Sequence, residues 1–166
     1  MSWIDIKTEN DVKRMLERVE HFHDWFVAGY SYDALGNCDD IDLNLGRLKE
    51  GLDALIITFR WDCKCKGQWP EVQLRFGDVS AFEISLGWLQ EGCPLYEANL
   101  EETAHGWVLI NDDELTPEER EHPLEIKANL FVLSGNVQWR PVTVVTSDGP
   151  DWWTSKKGEQ DDPQRG

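Results

Sequence analysis

The sequence predicts an α+β fold: predominantly antiparallel β-sheet of about eight strands, sandwich-like or strongly curved, with one N-terminal amphipathic helix. Three observations carry that expectation. Only one stretch has a helical apolar stripe, nearly everything after it alternates with period two, and the chain holds nine Trp, six Phe and three Tyr. Each such ring buries on the order of 150–250 Å² when packed, so a folded body is implied despite the charge. At 166 residues the length suits about one domain. Residues 1–154 read as that domain. From Ser155 onward the chain has no large apolar side chain and reads as a disordered polar tail, 155–166.

Thr8 followed by Asp11 is a capping-box-like helix start. Val12, Met15, Leu16 and Val19 then fall at i, i+3, i+4 and i+7, which predicts a helix to about Glu20. Phe26, Ala28, Tyr30 and Tyr32 alternate with smaller residues and predict the first strand. After a turn containing Gly36 and Asn37, Ile41, Leu43 and Leu45 predict another. Leu55, Ile57, Phe59 and Trp61 against Ile56, Thr58, Arg60 and Asp62 form the clearest case, one face apolar and the other mostly polar. Val72, Leu74 and Phe76, then Phe82, Ile84, Leu86 and Trp88, repeat it, with a turn or bulge at Gly77-Asp78 where the period slips.

A strand is expected around Tyr96, Ala98 and Leu100, and another over 107–110. Residues 124–133 and 137–146 read as a hairpin around Ser134-Gly135-Asn136. Residues 111–123 are polar and form a loop, with one helical turn suggested by Thr116-Pro117-Glu118-Glu119. The core should include Leu55, Ile57, Phe59, Leu74, Phe76, Phe82, Ile84, Ile126 and Leu130. Trp152-Trp153, beyond the last strand, either pack back over the sheet or stand as an exposed anchor for a partner.

Catalytic signatures are thin. There is no Gly-x-Ser-x-Gly elbow and no Gly-rich phosphate loop. His105, His122 and Cys93 lie in polar or turn segments with nothing to place a base beside the thiol. The reading is therefore a non-enzyme without cofactor. His21-x-His23, read as extended chain with Asp24 able to orient one imidazole, and Cys63-x-Cys65 together offer tetrahedral zinc ligand types. The competing reading is that the two thiols continue the apolar strand face as small hydrophobes, while Asp24 accepts backbone hydrogen bonds at a helix-to-strand corner. The N-terminus lacks the basic and apolar regions of an export signal, so reduced thiols and a cytoplasmic setting are expected.

Charge narrows the partner. Asp and Glu number 32 against 16 Lys and Arg. Between Glu91 and Glu125 there are eleven acidic side chains and a single basic one, Arg120. Nucleic acids and anionic membranes are bound by Lys/Arg-rich surfaces, so neither suits this chain. A basic protein does. Within the block, Asp112, Asp113, Glu114, Glu118, Glu119 and Glu121 are the candidate partner-binding residues, against the simpler reading of a solvated, solubilising loop.

Phe22-His23-Asp24-Trp25-Phe26-Val27, Leu55-Ile56-Ile57-Thr58-Phe59 and Val72-Gln73-Leu74-Arg75-Phe76, with Val79 and Phe82 behind, give a further lead. This stretch, the first half of the chain, resembles small bacterial immunity proteins of polymorphic or contact-dependent toxin systems and related uncharacterised domains. The resemblance implies a cytoplasmic protein that neutralises a cognate toxin. It supplies no site residues. The acidic charge adds that such a toxin would be basic and nuclease-type. The alternative is a β-domain that binds a small ligand or metal on a sheet face lined by Trp and Tyr.

Overall fold

A Thr–Asp pair three residues apart sets the first helix, α1 (Glu9–Arg18). Asp11 N donates to Thr8 Oγ1 at 3.2 Å, and Thr8 N donates back to Asp11 Oδ2 at 3.0 Å. These bonds occupy donors that a helix start otherwise leaves open. The computed structural model describes residues 2–33, 47–61, 71–85, 94–112 and 114–142, with 33 and 47–53 as backbone only. The expected strand at Ile41–Leu45, all four cysteines, Asp113, Trp88, Trp152-Trp153 and the tail lie outside the described residues.

The helix stops at Arg18, two residues short of the expected end. Glu20, His21 and Phe22 turn into left-handed backbone, with φ of 51°, 56° and 59°. That conformation is costly for side chains with a Cβ. Here it drives Phe22 into the interior, 0% exposed, between Trp25 (5.6 Å, edge-on) and Phe59 (4.6 Å). Burial of that ring offsets the backbone strain.

The strands are β1 (Ile4–Ile6), β2 (Trp25–Asp33), β3 (Arg47–Trp61), β4 (Glu71–Ile84), β5 (Asn99–Thr103), β6 (Gly106–Ile110) and β7 (Leu130–Val142). A short helix, α2 (Pro117–Glu121), precedes β7. Among the described residues they make one open antiparallel sheet of seven strands, ordered β2-β3-β4-β7-β6-β5. The fold class is as expected, but the arrangement is not a sandwich. The far edge of β7 is shared: β6 pairs with residues 131–134 and β1 with residues 137–139.

The expected hairpin at Ser134-Gly135-Asn136 does not exist; β7 runs straight through it, and residues 123–125 are a 3-10 turn. Nor are 72–76 and 82–84 separate strands, since β4 is continuous from 71 to 84; Leu86, like Trp88, lies outside the described residues. Both readings failed at one place. Gly77 is paired with Asn136 and Val79 with Ser134, so two period slips face each other across the ladder. Asp78 has φ of 50°, and the register shifts between Val79 and Ala81. Gly106 of β6 meets the same corner with φ of 128°; a Cβ there would collide with the Ser134 carbonyl oxygen. Small residues let three strands bend together, as bulges do. A turn signal on one strand and a shared bend across three look alike in sequence.

Two further corrections concern register. A bulge between Val27 and Gly29 splits β2, so Val27, Tyr30 and Tyr32 pack on the core while Ala28 is exposed. Tyr96 is not in a strand and is 87% exposed; β5 begins only at Asn99. β1, three residues long, carried too short an alternation to be read.

All nine expected core residues are buried, from 0% exposure at Leu55, Ile57, Phe59, Leu74, Phe76 and Leu130 to 8% at Ile126. The main core packs α1 (Val12, Met15, Leu16) and Val19 on one sheet face. The opposite face has its own small core of Ala81, Val108, Ile110, Leu115, Ile126, Phe131 and Leu133. Alternating residues of β6 and β7 point to the two cores in turn. Elsewhere that second face is polar, crossed by Arg60–Glu71, Gln73–Thr58, Arg140–Gln73 and Arg75–Gln138.

Candidate functional site: an acidic ledge and groove

The acidic segment between β6 and β7 lies on the second face rather than hanging from it. Leu115, 3% exposed, and Ile126 plug the small core and anchor both ends. Between them Thr116 caps α2 with a reciprocal pair: Thr116 N donates to Glu119 Oε2 at 2.8 Å, and Glu119 N to Thr116 Oγ1 at 3.2 Å. The suggested helical turn is there, with Pro117 at its start.

Glu101 of β5 ties the segment to the sheet. Its Oε2 accepts from Leu115 N and from Asn99 Nδ2, both at 2.7 Å. Its Oε1 accepts from Arg120 Nε at 3.2 Å and Nη2 at 2.7 Å. The Arg120 guanidinium is held above its ordinary pKa, first by that hydrogen bond and then by the Glu101 charge. The single basic side chain of the acidic block is thus committed to a carboxylate of the same block. Glu101 was not among the expected site residues; its position opposite Val108 on an edge strand was a matter of topology.

The structure treats the expected partner-binding residues unequally. Glu114, Glu118 and Glu121 are exposed, as is Asp112. Glu119 is half-buried and serves as the helix cap. Asp113 lies outside the described residues.

Beside this ledge runs a groove, floored by the last turn of α1 and walled by the chain leading into β5. Three backbone bonds stitch the left-handed turn to that chain: Asp24 N to Leu95 O (2.9 Å), Leu95 N to Trp25 O (2.7 Å) and Ala98 N to His21 O (3.0 Å). One end, about 540 Å³, is lined by Leu16, His21, Glu97, Ala98, Asn99 and Glu114. The other, about 310 Å³, adds Glu9, Lys13, Glu102 and Arg120.

The two histidines do not project together as an extended His-x-His would. His21 lines the groove, whereas His23 Nδ1 sits 3.0 Å from Asp24 Oδ2. Left-handed backbone at His21 and Asp24 breaks the strand geometry that the zinc reading needed. The Asp24 carboxylate meets the His23 ring, as the orienting role would have it, rather than backbone. Cys63 and Cys65 lie outside the described residues. Among the described residues no group of three or more His, Cys, Asp and Glu could hold a metal ion. Trp25 and Trp61 stack at 6.4 Å, with Trp61, Tyr30 and Tyr32 packed on the core. Among the described residues no helix is long and apolar enough to cross a membrane. No family model, curated protein or solved structure matches this chain.

Proposed function

We propose that this protein is a non-enzymatic, acidic protein-binding module, an immunity protein that neutralises a basic, nuclease-type bacterial toxin in the cytoplasm. The observation that supports it is the braced ledge. Carboxylates at Glu114, Glu118 and Glu121 are presented on a segment anchored by Leu115, Ile126 and Glu101. A rigid acidic surface loses less conformational entropy on contact than a loose loop does. Complementary charge raises association rate and specificity. Carboxylates also match the planar fork of arginine.

The test is charge reversal that spares the cap. In the variant Glu114→Lys/Glu118→Lys/Glu121→Lys, association with the proposed basic partner should slow by about tenfold or more at low salt. Its salt dependence should flatten, and thermal unfolding should stay cooperative. A folded variant that binds and protects like the parent would show that this ledge is not the interface.

A further inference from the structure

We propose that the left-handed turn over residues 20–24 is a latch that opens and closes together with the acidic ledge, so that the turn sets the rigidity of the proposed binding surface. Glu20, His21, Phe22 and Asp24 hold φ of 51°, 56°, 59° and 63°. Each carries a Cβ and is held against its own backbone preference. Such backbone persists only where the surroundings over-determine it. Two sets of contacts do so here. Phe22 is fully buried against Trp25 and Phe59. A strap, residues 95–98, then fastens the turn through the Asp24–Leu95, Leu95–Trp25 and Ala98–His21 backbone bonds. Strain that favours opening is thus set against contacts that favour closure, the balance from which local opening arises.

The strap leads straight into the brace of the ledge. Ala98 N donates to His21 O at 3.0 Å, and the next residue, Asn99, donates from Nδ2 to Glu101 Oε2 at 2.7 Å. That same oxygen accepts from Leu115 N at 2.7 Å, while Glu101 Oε1 accepts from Arg120. A strap that leaves the turn carries Asn99 with it and loosens the carboxylate on which Leu115 and Arg120 depend. Coupling of this kind travels through a contiguous network around an element with two arrangements. It is reciprocal, so a partner seated on the ledge would also close the latch. That use of the coupling rests on the ledge reading, but the coupling itself is measured on the chain alone.

The experiment follows amide hydrogen exchange of the full ¹⁵N-labelled chain at rising, sub-denaturing urea. The amides of Asp24, Leu95, Ala98 and Leu115 should merge into one opening event, easier than the event that exposes Leu74 and Trp139 in the central strands. Glu101→Ala, which acts at the ledge, should speed exchange at Asp24, Leu95 and Ala98 by about tenfold, as loss of a charged acceptor would. The reverse direction uses His21→Gly against His21→Ala, which remove the same imidazole but differ in their tolerance of left-handed backbone. Exchange at Leu115 should be slower in the glycine variant by about two- to fivefold. The same spectra report whether each variant folds, and the parent and the His21 pair decide the matter if Glu101→Ala does not. Separate openings for strap and ledge, exchange of all four amides only by global unfolding, or variants felt only at their own end would each overturn the latch. None of these would touch the ledge reading, which stands or falls on the association rate of the charge-reversed variant.

Discussion

Two residues show how differently single positions constrain this fold. Phe59 has 0% exposure and lies 4.6 Å from the Phe22 ring, at the point where the left-handed turn enters the core. Truncation removes both its own burial and the wall against which Phe22 packs. Phe59→Ala should cost about 3–5 kcal/mol, read from chemical denaturation. A cost below about 1 kcal/mol would mean the site collapses around the loss, which the neighbouring rings are too rigid to do easily. Gly106 matters for the opposite reason, since what counts there is an absent atom. With φ of 128° and the Ser134 carbonyl against it, Gly106→Ala adds backbone strain to a clash. The expected loss is roughly 2–4 kcal/mol. A neutral Gly106→Ala would show that the three-strand corner is looser than its geometry. Phe59 was readable from alternation, because burial follows period. Gly106 was not, because its partner is 28 residues away.

Among the elements, α1 was the most legible, since its stripe, cap and capping carboxylate all lie within twelve residues. The Asp11 carboxyl is held below the usual carboxylate range, first by the Lys7 backbone N–H and then by the Thr8 side chain. A carboxylate with a lowered folded pKa adds stability that is complete above its unfolded value, about 3.9, and disappears as pH falls through the folded value. The stability gap between the parent and Asp11→Asn should therefore be constant above about pH 5 and close in acid. Urea midpoints at several pH values measure it, and a gap unchanged into acid would remove the carboxylate from the cap. β4 and β7 were half legible. Val72, Leu74, Phe76, Phe82 and Ile84 of β4 and Leu130 of β7 were read correctly as apolar-face residues, while the joints were mistaken for a turn or for strand ends. Alternation shows which residues share a face, and the neighbouring strand decides whether a slip is a bend or a reversal.

At the scale of the molecule, a net charge of −16 opposes compaction. Among the described residues, ion pairs such as Lys7–Asp5 and Lys13–Glu17 are exposed, and such pairs contribute little. Screening should therefore help this protein more than it harms it. The Tm should rise between about 0.01 and 0.15 M NaCl, where the Debye length falls from about 30 to 8 Å. A gain of about 1 kcal/mol would move it by about 2–4 °C in a chain of this size. A falling Tm would mean that local pairs outweigh the long-range repulsion.

The sequence by itself determined the fold class, the helix, the nine core positions and the net charge of the chain. Each of these depends on local period, capping chemistry or summed charge, which are properties of neighbours along the chain. Only the tertiary structure decided that Leu115 and Ile126 hold the acidic segment to a second core, that Glu101 takes its arginine, and that a groove opens beside it. These features arise where α1, β5 and the chain before β7 converge, and the contacts joining them span up to roughly a hundred residues. No local pattern encodes such a meeting, because it depends on sheet order, and sheet order follows from the packing of the whole chain.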